Sequence, residues 1–588
     1  MKREEIDDKF KWDLSLMYKS TDEFKEDLEK VKKEIPQIAD YKEKFLNTVE
    51  DFLNFFELFE RINRTLEKLS MYTHLWTDVE PQNDIAQDLR SKVLGVAQMY
   101  SNEVTFIDTS VVENEEKVKE IIADERCKNY VNYINSILRY KPHILDDKTE
   151  EILTKAQNAM NAYKTYTSIK LDYEPVVIDG KEHFLNDETM REFLRMDDED
   201  IRIQAYEKVY KEYKKFSNIF ANTLEGKIKE DVFNAQVRNF NSPVESAVFG
   251  DEVTPDLFNM ILNVANEKYH EYFLEYLEVS AKALNKEIYT YDLYVPLAKA
   301  PDKKYTLDEA FELIFEATKN YGEEYRKILE KARDEKWIDY LPHEGKRQGA
   351  YSSGCYDTVP YILTSFNGDM ESVYTLIHEL GHSCHSYFSN HNQDYMNSDY
   401  RIFVAEVAST VNENLLTNLM LQKAETKEEK AFLLFSKLER FVGTCYRQPF
   451  FADFENKLHN MVANNEGLSA KSITDLYNEC NEKYYGGKVN LHEYSRYSCF
   501  AVPHFYYNYY VYKYTIGNCV ASVLAKRIFE GDKEQIEKYL NFLKSGSIKA
   551  PVELLKGAGV DPLDENLYKE AFEGFKKDLD EFKKIIDE

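Results

Sequence analysis

Long stretches without helix breakers are the feature that most limits what this chain can fold into. Its 588 residues include only 20 glycines and 14 prolines, well below the usual shares of about 7% and 5%. In residues 51–76, apolar side chains such as Phe52, Phe55 and Phe59 recur every three or four positions between charged ones, which is the period of an amphipathic helix. Comparable patterns cover residues 111–125, 201–235, 255–285, 306–335, 425–465 and 533–546. We therefore predict a mainly α fold.

Strand signals are confined to two places in the sequence. Residues 174–185, "EPVVIDGKEHFL", contain Asp179-Gly180, the residue types that a tight hairpin turn requires. Residues 349–369 alternate small, aromatic and β-branched side chains, which is typical of short strands. We expect a hairpin at the first place and, at the second, a small sheet that leads into the following helix.

An acidic run, "RMDDEDIR" at residues 195–202, is the predicted boundary within the chain. It separates an amino-terminal helical region, residues 1–195, which contains the predicted hairpin, from a second region, residues 196–588. A chain of this length is large enough for two domains or for one body with a substantial core.

Composition excludes several classes of protein. Apolar residues make up 43% of the chain and charged residues 31%, which is typical of a globular protein. A formal net charge of −30 repels phosphate backbones, so nucleic acid is not an expected partner. Neither a secretory signal nor a run of about 18 apolar residues is present, so we expect a cytoplasmic protein with no membrane partner. The seven scattered cysteines form no C-x-x-C pair and are expected to be reduced.

The stretch "SVYTLIHELGHSCHSYFS", residues 372–389, carries the clearest chemical signal. Its apolar positions predict a helix that Asp369 can cap. Within it, His378, Glu379 and His382 form the pattern H-E-x-x-H, which puts two imidazoles one turn apart on one helix face. Two histidines spaced in this way can bind one zinc ion, although chance occurrences of this short pattern are also known.

A catalytic zinc site normally needs a third protein ligand. His385 lies seven residues after His378, about 10 Å along a helix axis, which is too far for both to bind one zinc. The longer pattern H-E-x-x-H-x-x-G-x-x-H is also absent. Residues 401–420 predict an apolar helix in which Glu406 is a lone carboxylate, costly to bury unless it is paired or bound to metal. Glu413 in the same segment is the competing candidate.

These residues, taken together, resemble a known family. His378, Glu379 and His382 followed by Glu406 in "FVAEVAST", with "GAYSSGCYDTVPYIL" before them and "PHFYYNYYVYKYTIG" after them, are similar to the oligoendopeptidase F group of the thimet-oligopeptidase-like zinc metallopeptidases. The resemblance extends along the whole chain. It implies a large multi-helical ellipsoidal body with a deep substrate channel, a small β-sheet beside the zinc-binding helices, and a catalytic domain over residues 196–588. It also implies hydrolysis of short unstructured peptides at internal bonds.

The residues suggest a mechanism that agrees with this resemblance. One zinc ion per chain, bound by His378, His382 and Glu406, would activate a water molecule, and Glu379 would act as the general base. In the family a histidine and tyrosines near residues 503–514 face the active site, which implies catalytic roles for His504 and Tyr512. Because one sequence does not fix the register of this stretch, the other phenols there remain alternatives: Tyr507, Tyr509, Tyr510 and Tyr514.

Substrate binding can also be predicted from this resemblance. Residues 359–367, "VPYILTSFN", are similar to the edge strand that binds an extended peptide through its backbone in such enzymes. The partners are therefore expected to be short peptides, and the oligomeric state is left open. Two alternatives remain at this point: a zinc exopeptidase of the carboxypeptidase type, and an inactive protein that only binds peptides.

Overall fold

The computed structural model describes residues 2–157 and 160–587, and it is mainly helical, as predicted. The chain divides into two compact units, each built from three segments. Unit 1 comprises Met1–Lys141, Asp302–Leu419 and Leu524–Asp561; unit 2 comprises Pro142–Pro301, Met420–Val523 and Pro562–Glu588. The predicted boundary at residues 195–202 lies inside unit 2, so the division of the chain there stays a prediction.

The α-helices of unit 1 follow the predicted amphipathic patterns. They are Thr21–Glu34, Val49–Val79, Asp84–Glu103, Phe106–Glu113, Glu115–Ile122, Val131–Arg139, Leu307–Ala317, Glu323–Asp334, Met370–Asn392, Tyr395–Ser398, Ile402–Lys423, Lys533–Leu543 and Pro551–Gly557. The predicted helix over 306–335 is two helices: the first ends at Ala317, and the second begins at Glu323 after a short 3-10 turn, Lys319–Tyr321, and Gly322, which has a φ of 86°. The helix Ile402–Lys423 runs past the end of its unit 1 segment.

The helix Val49–Val79 shows why these patterns fold as they do. The side-chain oxygen of Thr48 accepts a hydrogen bond from the backbone N–H of Asp51 and caps the first turn. Phe52, Phe55 and Phe56 are then fully buried in the core of unit 1. Burying one such side chain contributes roughly 1.5–3 kcal/mol, so the apolar face stabilises the helix more than local propensity does.

A three-stranded sheet in unit 1 packs beside the helix Met370–Asn392, as expected. Its central strand is Tyr361–Leu363, which pairs in parallel with Ile338–Asp339 and antiparallel with Tyr351–Ser353. The prediction that residues 359–367 form an edge strand is therefore wrong. Tyr361–Leu363 is paired on both sides and fully buried, and an edge strand that could accept a peptide is Tyr351–Ser353.

Unit 2 is also helical. Its α-helices are Asp147–Gln157, Ala162–Ser168, Asp187–Leu194, Glu199–Lys215, Ser217–Val237, Pro243–Phe249, Pro255–Asn263, His270–Leu284, Lys427–Phe441, Arg447–Ala463, Ala470–Tyr485, Tyr512–Phe529 and Glu565–Asp587. The helix Tyr512–Phe529 runs past the end of its unit 2 segment. The predicted hairpin is confirmed: Val176–Ile178 pairs antiparallel with Lys181–His183. Asp179 and Gly180 connect the strands with φ values of 51° and 75°, the left-handed pair that a two-residue hairpin loop favours. A second small sheet pairs Ile288–Tyr289 in parallel with Val489–Asn490.

Two further expectations concern the chain as a whole. All seven cysteines are free thiols, as predicted. Among residues 2–157 and 160–587, no helix combines the length and the apolar character needed to cross a bilayer.

A buried carboxyl in unit 2 predicts a pH-dependent stability. Burial, with Asp231 nearby, raises the pKa of Glu455 to about 7 from 4.5. Between pH 4.5 and about pH 7 the folded protein keeps a proton on Glu455 that the unfolded chain has released. The free energy of unfolding therefore falls as the pH rises through this window. We compare the free energy of unfolding of Glu455→Gln with that of the wild type. The difference in favour of the variant should be roughly 3 kcal/mol larger at pH 8 than at pH 4.5. Urea unfolding of both proteins at pH 5 and pH 8 measures most of this change. Glu455 lies in the helix Arg447–Ala463, and Glu466 is at an exposed position just after this helix. Glu466→Gln should show no such change. An equal difference in the free energy of unfolding between Glu455→Gln and the wild type at both pH values would contradict the prediction.

Candidate metal centre

The helix Met370–Asn392, called the motif helix below, carries the H-E-x-x-H pattern. The carboxylate of Asp369 caps it by accepting a hydrogen bond of 2.8 Å from the backbone N–H of Ser372. Val373, Ile377 and Leu380 are fully buried along it. The predicted capped helix is confirmed. Because these apolar side chains are packed in the core, His378 and His382 are left on a different side of the helix.

The helix Ile402–Lys423, called the second helix below, packs against the motif helix at Gly381. A Cβ atom added at Gly381 would lie 2.7 Å from the Cα atom of Ser409 and 2.9 Å from the carbonyl oxygen of Ala408. Both distances are too short for any side chain. The glycine therefore lets the two helix backbones approach closely, and this approach brings Glu406 to the two histidines of the motif helix.

Three side chains present one ligand atom each to a common point. The Nε2 atoms of His378 and His382 lie 3.2 Å apart. Oε2 of Glu406 lies 3.5 Å from the first and 3.6 Å from the second. Among the described residues, this His-His-Glu group is the one whose ligand atoms converge closely enough to hold a metal ion.

The size of this triangle fits a zinc ion. Zinc binds nitrogen at about 2.0–2.1 Å and carboxylate oxygen at about 2.0–2.2 Å, so ligand atoms around a tetrahedral zinc lie about 3.3 Å apart. The three observed separations lie close to this value. The side chain of Glu406 is 53% exposed, so one side of the triangle is open, as a catalytic zinc site requires. The donor set therefore fits zinc with a free position.

Glu413, which was the competing third ligand, contacts His378 from the other side. Its Oε1 atom lies 2.5 Å from Nδ1 of His378, so Nδ1 donates to this carboxylate and Nε2 is the ring nitrogen that faces the metal point. A carboxylate that orients a metal-binding histidine in this way is common in zinc sites. Sequence reasoning missed this role, although Glu413 follows Glu406 by seven residues, which is two turns along the same helix face.

The charges around the triangle are strongly coupled. Burial disfavours the charged form of His378, but the Glu413 carboxylate, with Glu379 and Glu406 nearby, raises the pKa of His378 to about 9. Partial desolvation likewise acts against ionised Glu406, although its side chain is open to solvent on one side, but His382, His378 and Ser409 lower the pKa of that carboxyl to about 2. Glu406 is therefore a carboxylate at neutral pH, which is the form that binds metal.

The environment of Glu406 differs from the sequence argument that selected it. That argument assumed a carboxylate buried among apolar neighbours. The neighbours Phe403, Val404 and Val407 are buried, but Glu406 itself is exposed.

Glu379 lies beside the triangle on the motif helix. Its side chain is buried, and its carboxylate accepts a hydrogen bond from the backbone N–H of Ser352, in the edge strand Tyr351–Ser353. Burial, with Glu406 nearby, raises the pKa of Glu379 although the two histidines oppose this. A carboxyl with a raised pKa next to a metal centre is suited to receive a proton and release it again.

His385 does not take part in the triangle. Its ring is 1% exposed and stacks on the ring of Tyr400, with centroids 3.7 Å apart. Burial lowers the pKa of His385 to about 3. The expectation that it is not a ligand agrees with this position; the ring is fully buried, and its Nδ1 atom has no hydrogen-bond partner among the described residues.

His504 and Tyr512 belong to unit 2. The half-buried ring of His504 has three phenol neighbours, with centroids at 5.5 Å for Tyr507, 6.5 Å for Tyr510 and 6.2 Å for Tyr514. Tyr512 points elsewhere: its ring is 1% exposed and its hydroxyl donates to Asp251 over 2.8 Å. A catalytic role for Tyr512 stays a prediction, and its buried, bonded hydroxyl is an argument against it.

Gly381 provides a test of the helix contact. Gly381→Ala is expected to destabilise the protein by roughly 1–3 kcal/mol, because the added methyl group must separate the two helices, and to weaken zinc binding as Glu406 moves from the histidines. Chelator competition and thermal unfolding measure both effects. Gly574→Ala, at a helical glycine with no atom near its Cβ position, should keep zinc affinity and gain a little stability. Unchanged zinc affinity in Gly381→Ala would show that the close approach is not needed.

Comparisons with known proteins were made for the whole chain. The family model described as "Peptidase family M3" matches residues 193–574, and a model described as "Oligopeptidase F" matches residues 114–171. "Oligopeptidase PepF" of Bacillus subtilis is 32% identical, over 99% of this chain and 88% of that protein. A crystal structure of a Chlamydophila abortus protein has a TM-score of 0.92 at 28% identity, covering 99% of both chains. That of "oligoendopeptidase-F from Enterococcus faecium" has a TM-score of 0.75 at 28% identity, covering 96% of this chain and 99% of the other.

Proposed function

The chain belongs to peptidase family M3, and from this membership we propose that it is a zinc-dependent endopeptidase that hydrolyses internal bonds of short, unstructured oligopeptides. Peptidases of this type are metal-dependent enzymes, and the names of the relatives describe oligopeptidases. The observation that carries the proposal is the triangle of His378, His382 and Glu406 with Glu379 beside it.

His378, His382 and Glu406 would hold the zinc ion. Zinc bound there supplies a Lewis acid that lowers the pKa of a water molecule and polarises a carbonyl group. Glu413 fixes the tautomer and the ring orientation of His378 through the contact to Nδ1, so that Nε2 is available to the metal.

Glu379 is the proposed general base. It would take a proton from the attacking water and deliver it to the nitrogen of the leaving amine, which requires one group that can exist in both protonation states near neutral pH. Its raised pKa and its hydrogen bond from the backbone of Ser352 support this assignment.

The edge strand Tyr351–Ser353 is the proposed binding surface for the substrate backbone. It pairs with Tyr361–Leu363 on one side, and an extended peptide can pair with a free strand edge on the other. Backbone pairing makes few demands on side chains, which is compatible with a broad range of peptide sequences.

His504 is the proposed donor to the oxyanion that forms on the attacked carbonyl. Tyr510 and Tyr514 share its aromatic group, and we propose them as the phenols to test first, ahead of Tyr512. The assignment is tested by the kcat of His504→Ala, Tyr510→Phe, Tyr514→Phe and Tyr512→Phe. A large loss in Tyr512→Phe alone would restore that residue as the catalytic phenol.

Metal analysis and peptide digestion together test the proposed function. The purified protein should contain about one zinc per chain, and manganese or cobalt must be measured as well because both can occupy a site with two histidines and one carboxylate. Peptides of about 5 to 40 residues, with both termini blocked, are then digested and the products identified by mass spectrometry. Cleavage at internal bonds supports an endopeptidase.

Two alternatives give different results in the same experiment. A zinc exopeptidase of the carboxypeptidase type would leave the blocked peptides intact and shorten peptides with free ends. A protein that only binds peptides would give measurable affinity without any product in its zinc-loaded form. Either result would overturn the proposed endopeptidase activity.

A further inference from the structure

A cavity of about 590 Å³ lies within unit 1 next to the motif helix. Its wall includes Ser386 and Asn390 of that helix, Gly354 and Cys355 of the loop after the edge strand, and Asp399. Its volume lies within the range of small-molecule binding sites.

The cavity continues the face of the motif helix that carries the metal triangle. His378, His382, Ser386 and Asn390 follow one another at steps of four residues, so they lie along one side of the helix. Asn390 is eight residues beyond His382, about 12 Å along the axis. An extended peptide spans this length with roughly three or four residues.

The edge strand leads to the same cavity. Ser352 contacts Glu379 through its backbone N–H, and two residues further the chain reaches Gly354 in the cavity wall. A peptide that pairs with Tyr351–Ser353 near the metal triangle would therefore reach the cavity with residues a short distance from the cleaved bond.

The cavity wall carries two carboxylates and no lysine or arginine among the described residues. Glu67 and Asp399 are both exposed. The hydroxyl of Tyr395 donates to Glu67 over 2.6 Å. The basic residue of the wall is His74, and burial lowers its pKa, so it is neutral near pH 7. The nearby Arg64 is already bound by Asp357 and lies over the ring of Tyr356.

The two carboxylates affect each other. Partial desolvation within the cavity wall raises the pKa of Glu67 although its side chain still contacts solvent; the hydrogen bond from Tyr395 lowers this pKa, and repulsion from Asp399 raises it further. Partial desolvation also raises the pKa of Asp399. Aromatic rings complete the wall, namely those of Phe59, Tyr133, Tyr356, Tyr395 and Tyr400. A cation in the cavity would relieve the repulsion between the carboxylates and could contact the faces of these rings.

We propose that this cavity is a substrate subsite for a positively charged group of the peptide, a few residues from the cleaved bond. The proposal rests on the proposed peptidase function. The group is an ammonium or guanidinium, supplied by the side chain of a lysine or arginine or by the amino terminus of the peptide.

A series of peptides tests this subsite. A single lysine is moved through positions two to five on each side of the cleaved bond, against glutamine at the same position, each peptide with a free and with an acetylated amino terminus. We expect lysine at one or two neighbouring positions, or the free terminus, to raise kcat/KM by about tenfold, since about 1.4 kcal/mol corresponds to that factor. A gain that follows the lysine position identifies a side chain as the ligand, and a gain lost on acetylation identifies the terminus.

Variants of the carboxylates assign the effect to the cavity. Glu67→Gln and Asp399→Asn should each reduce the preference to about twofold or less and leave kcat/KM for the neutral peptides nearly unchanged. Glu57→Gln, an exposed carboxylate on the same helix as Glu67 but outside the cavity wall, is the matched control and should keep the full preference. Equal losses for charged and neutral peptides, or a preference that survives both substitutions, would overturn the subsite.

A binding measurement separates this proposal from the proposed function. Calorimetric Kd values for the same peptides are measured on zinc-loaded Glu379→Gln, with and without Glu67→Gln and Asp399→Asn. If the wild type cleaves no peptide but the charge preference in Kd depends on the two carboxylates, the peptidase function fails and the cationic site stands. If peptides are cleaved but no charge preference exists in Kd or kcat/KM, the subsite fails and the peptidase function stands.

Discussion

Replacing Glu379 by glutamine is expected to lower kcat by about 10²–10⁴-fold while the protein keeps about one zinc per chain, because general base catalysis contributes an effect of this size. Glutamine has the same shape, so it can still accept the hydrogen bond from the backbone of Ser352, but it cannot take a proton from water. The measurement is kcat with an internally quenched peptide, together with metal analysis of the same sample.

The matched control for Glu379→Gln lies on the same helix. Glu371→Gln changes a carboxylate in the first turn of the motif helix, two turns before Glu379, and should keep at least half of the wild-type kcat. If Glu379→Gln also kept wild-type turnover, Glu379 would not be the general base, and the proposed mechanism would be wrong.

Glu406→Gln should cause the largest loss of zinc. The neutral amide is a poor ligand for zinc, and two histidines alone do not complete a catalytic site. We expect zinc affinity to fall by more than about 100-fold and activity to fall with it. Glu413→Gln is the matched comparison on the same helix, because Glu413 contacts His378 and not the metal point. A residue in that position typically contributes about 10–100-fold to metal affinity.

Chelator competition on the two variants decides between the two glutamates. The zinc affinity of Glu406→Gln should be clearly lower than that of Glu413→Gln, and Glu413→Gln should recover activity at saturating zinc. The reverse order of affinities would make Glu413 the third ligand and would reject the triangle as the metal site.

Sequence patterns were sufficient for elements whose cause is local. The hairpin at Asp179-Gly180 and the cap of the motif helix at Asp369 formed as predicted, because turn chemistry and capping depend on a few neighbouring residues. The helices also formed where the apolar period was clear, although several predicted spans are divided, for example 201–235 at Phe216 and 306–335 at the turn before Gly322.

The tyrosines after His504 show where sequence periodicity fails. Asn508 and Tyr509 have φ values of 52° and 59°, so the chain turns between the short helix Pro503–Tyr506 and the helix that begins at Tyr512. This turn puts Tyr509 and Tyr512 in the core while Tyr507 is exposed. No helical register could have predicted that arrangement, because the residues at the turn are not of the types that usually adopt left-handed angles, apart from asparagine.

The strand assignment failed for a related reason. Residues 359–367 have the composition of a strand, but whether a strand is central or at an edge depends on what pairs with it from elsewhere in the chain. Ile338–Asp339, more than twenty residues earlier, covers the free side of Tyr361–Leu363. The edge next to Glu379 therefore belongs to Tyr351–Ser353, which the sequence did not distinguish from its neighbour.

The sequence by itself determined the helical fold class, the pair His378 and His382, and the glutamate between them, because the spacing of residues on one helix fixes their relative position. It also restricted the third ligand to two glutamates on the next long helix. The tertiary structure favours Glu406 of the two. The close approach at Gly381 brings Glu406 to the two imidazoles, and the same packing leaves Glu413 on the far side of His378. Which side chains from two helices meet depends on the distance and rotation between the helices, and those are set by packing over the whole interface rather than by either sequence alone.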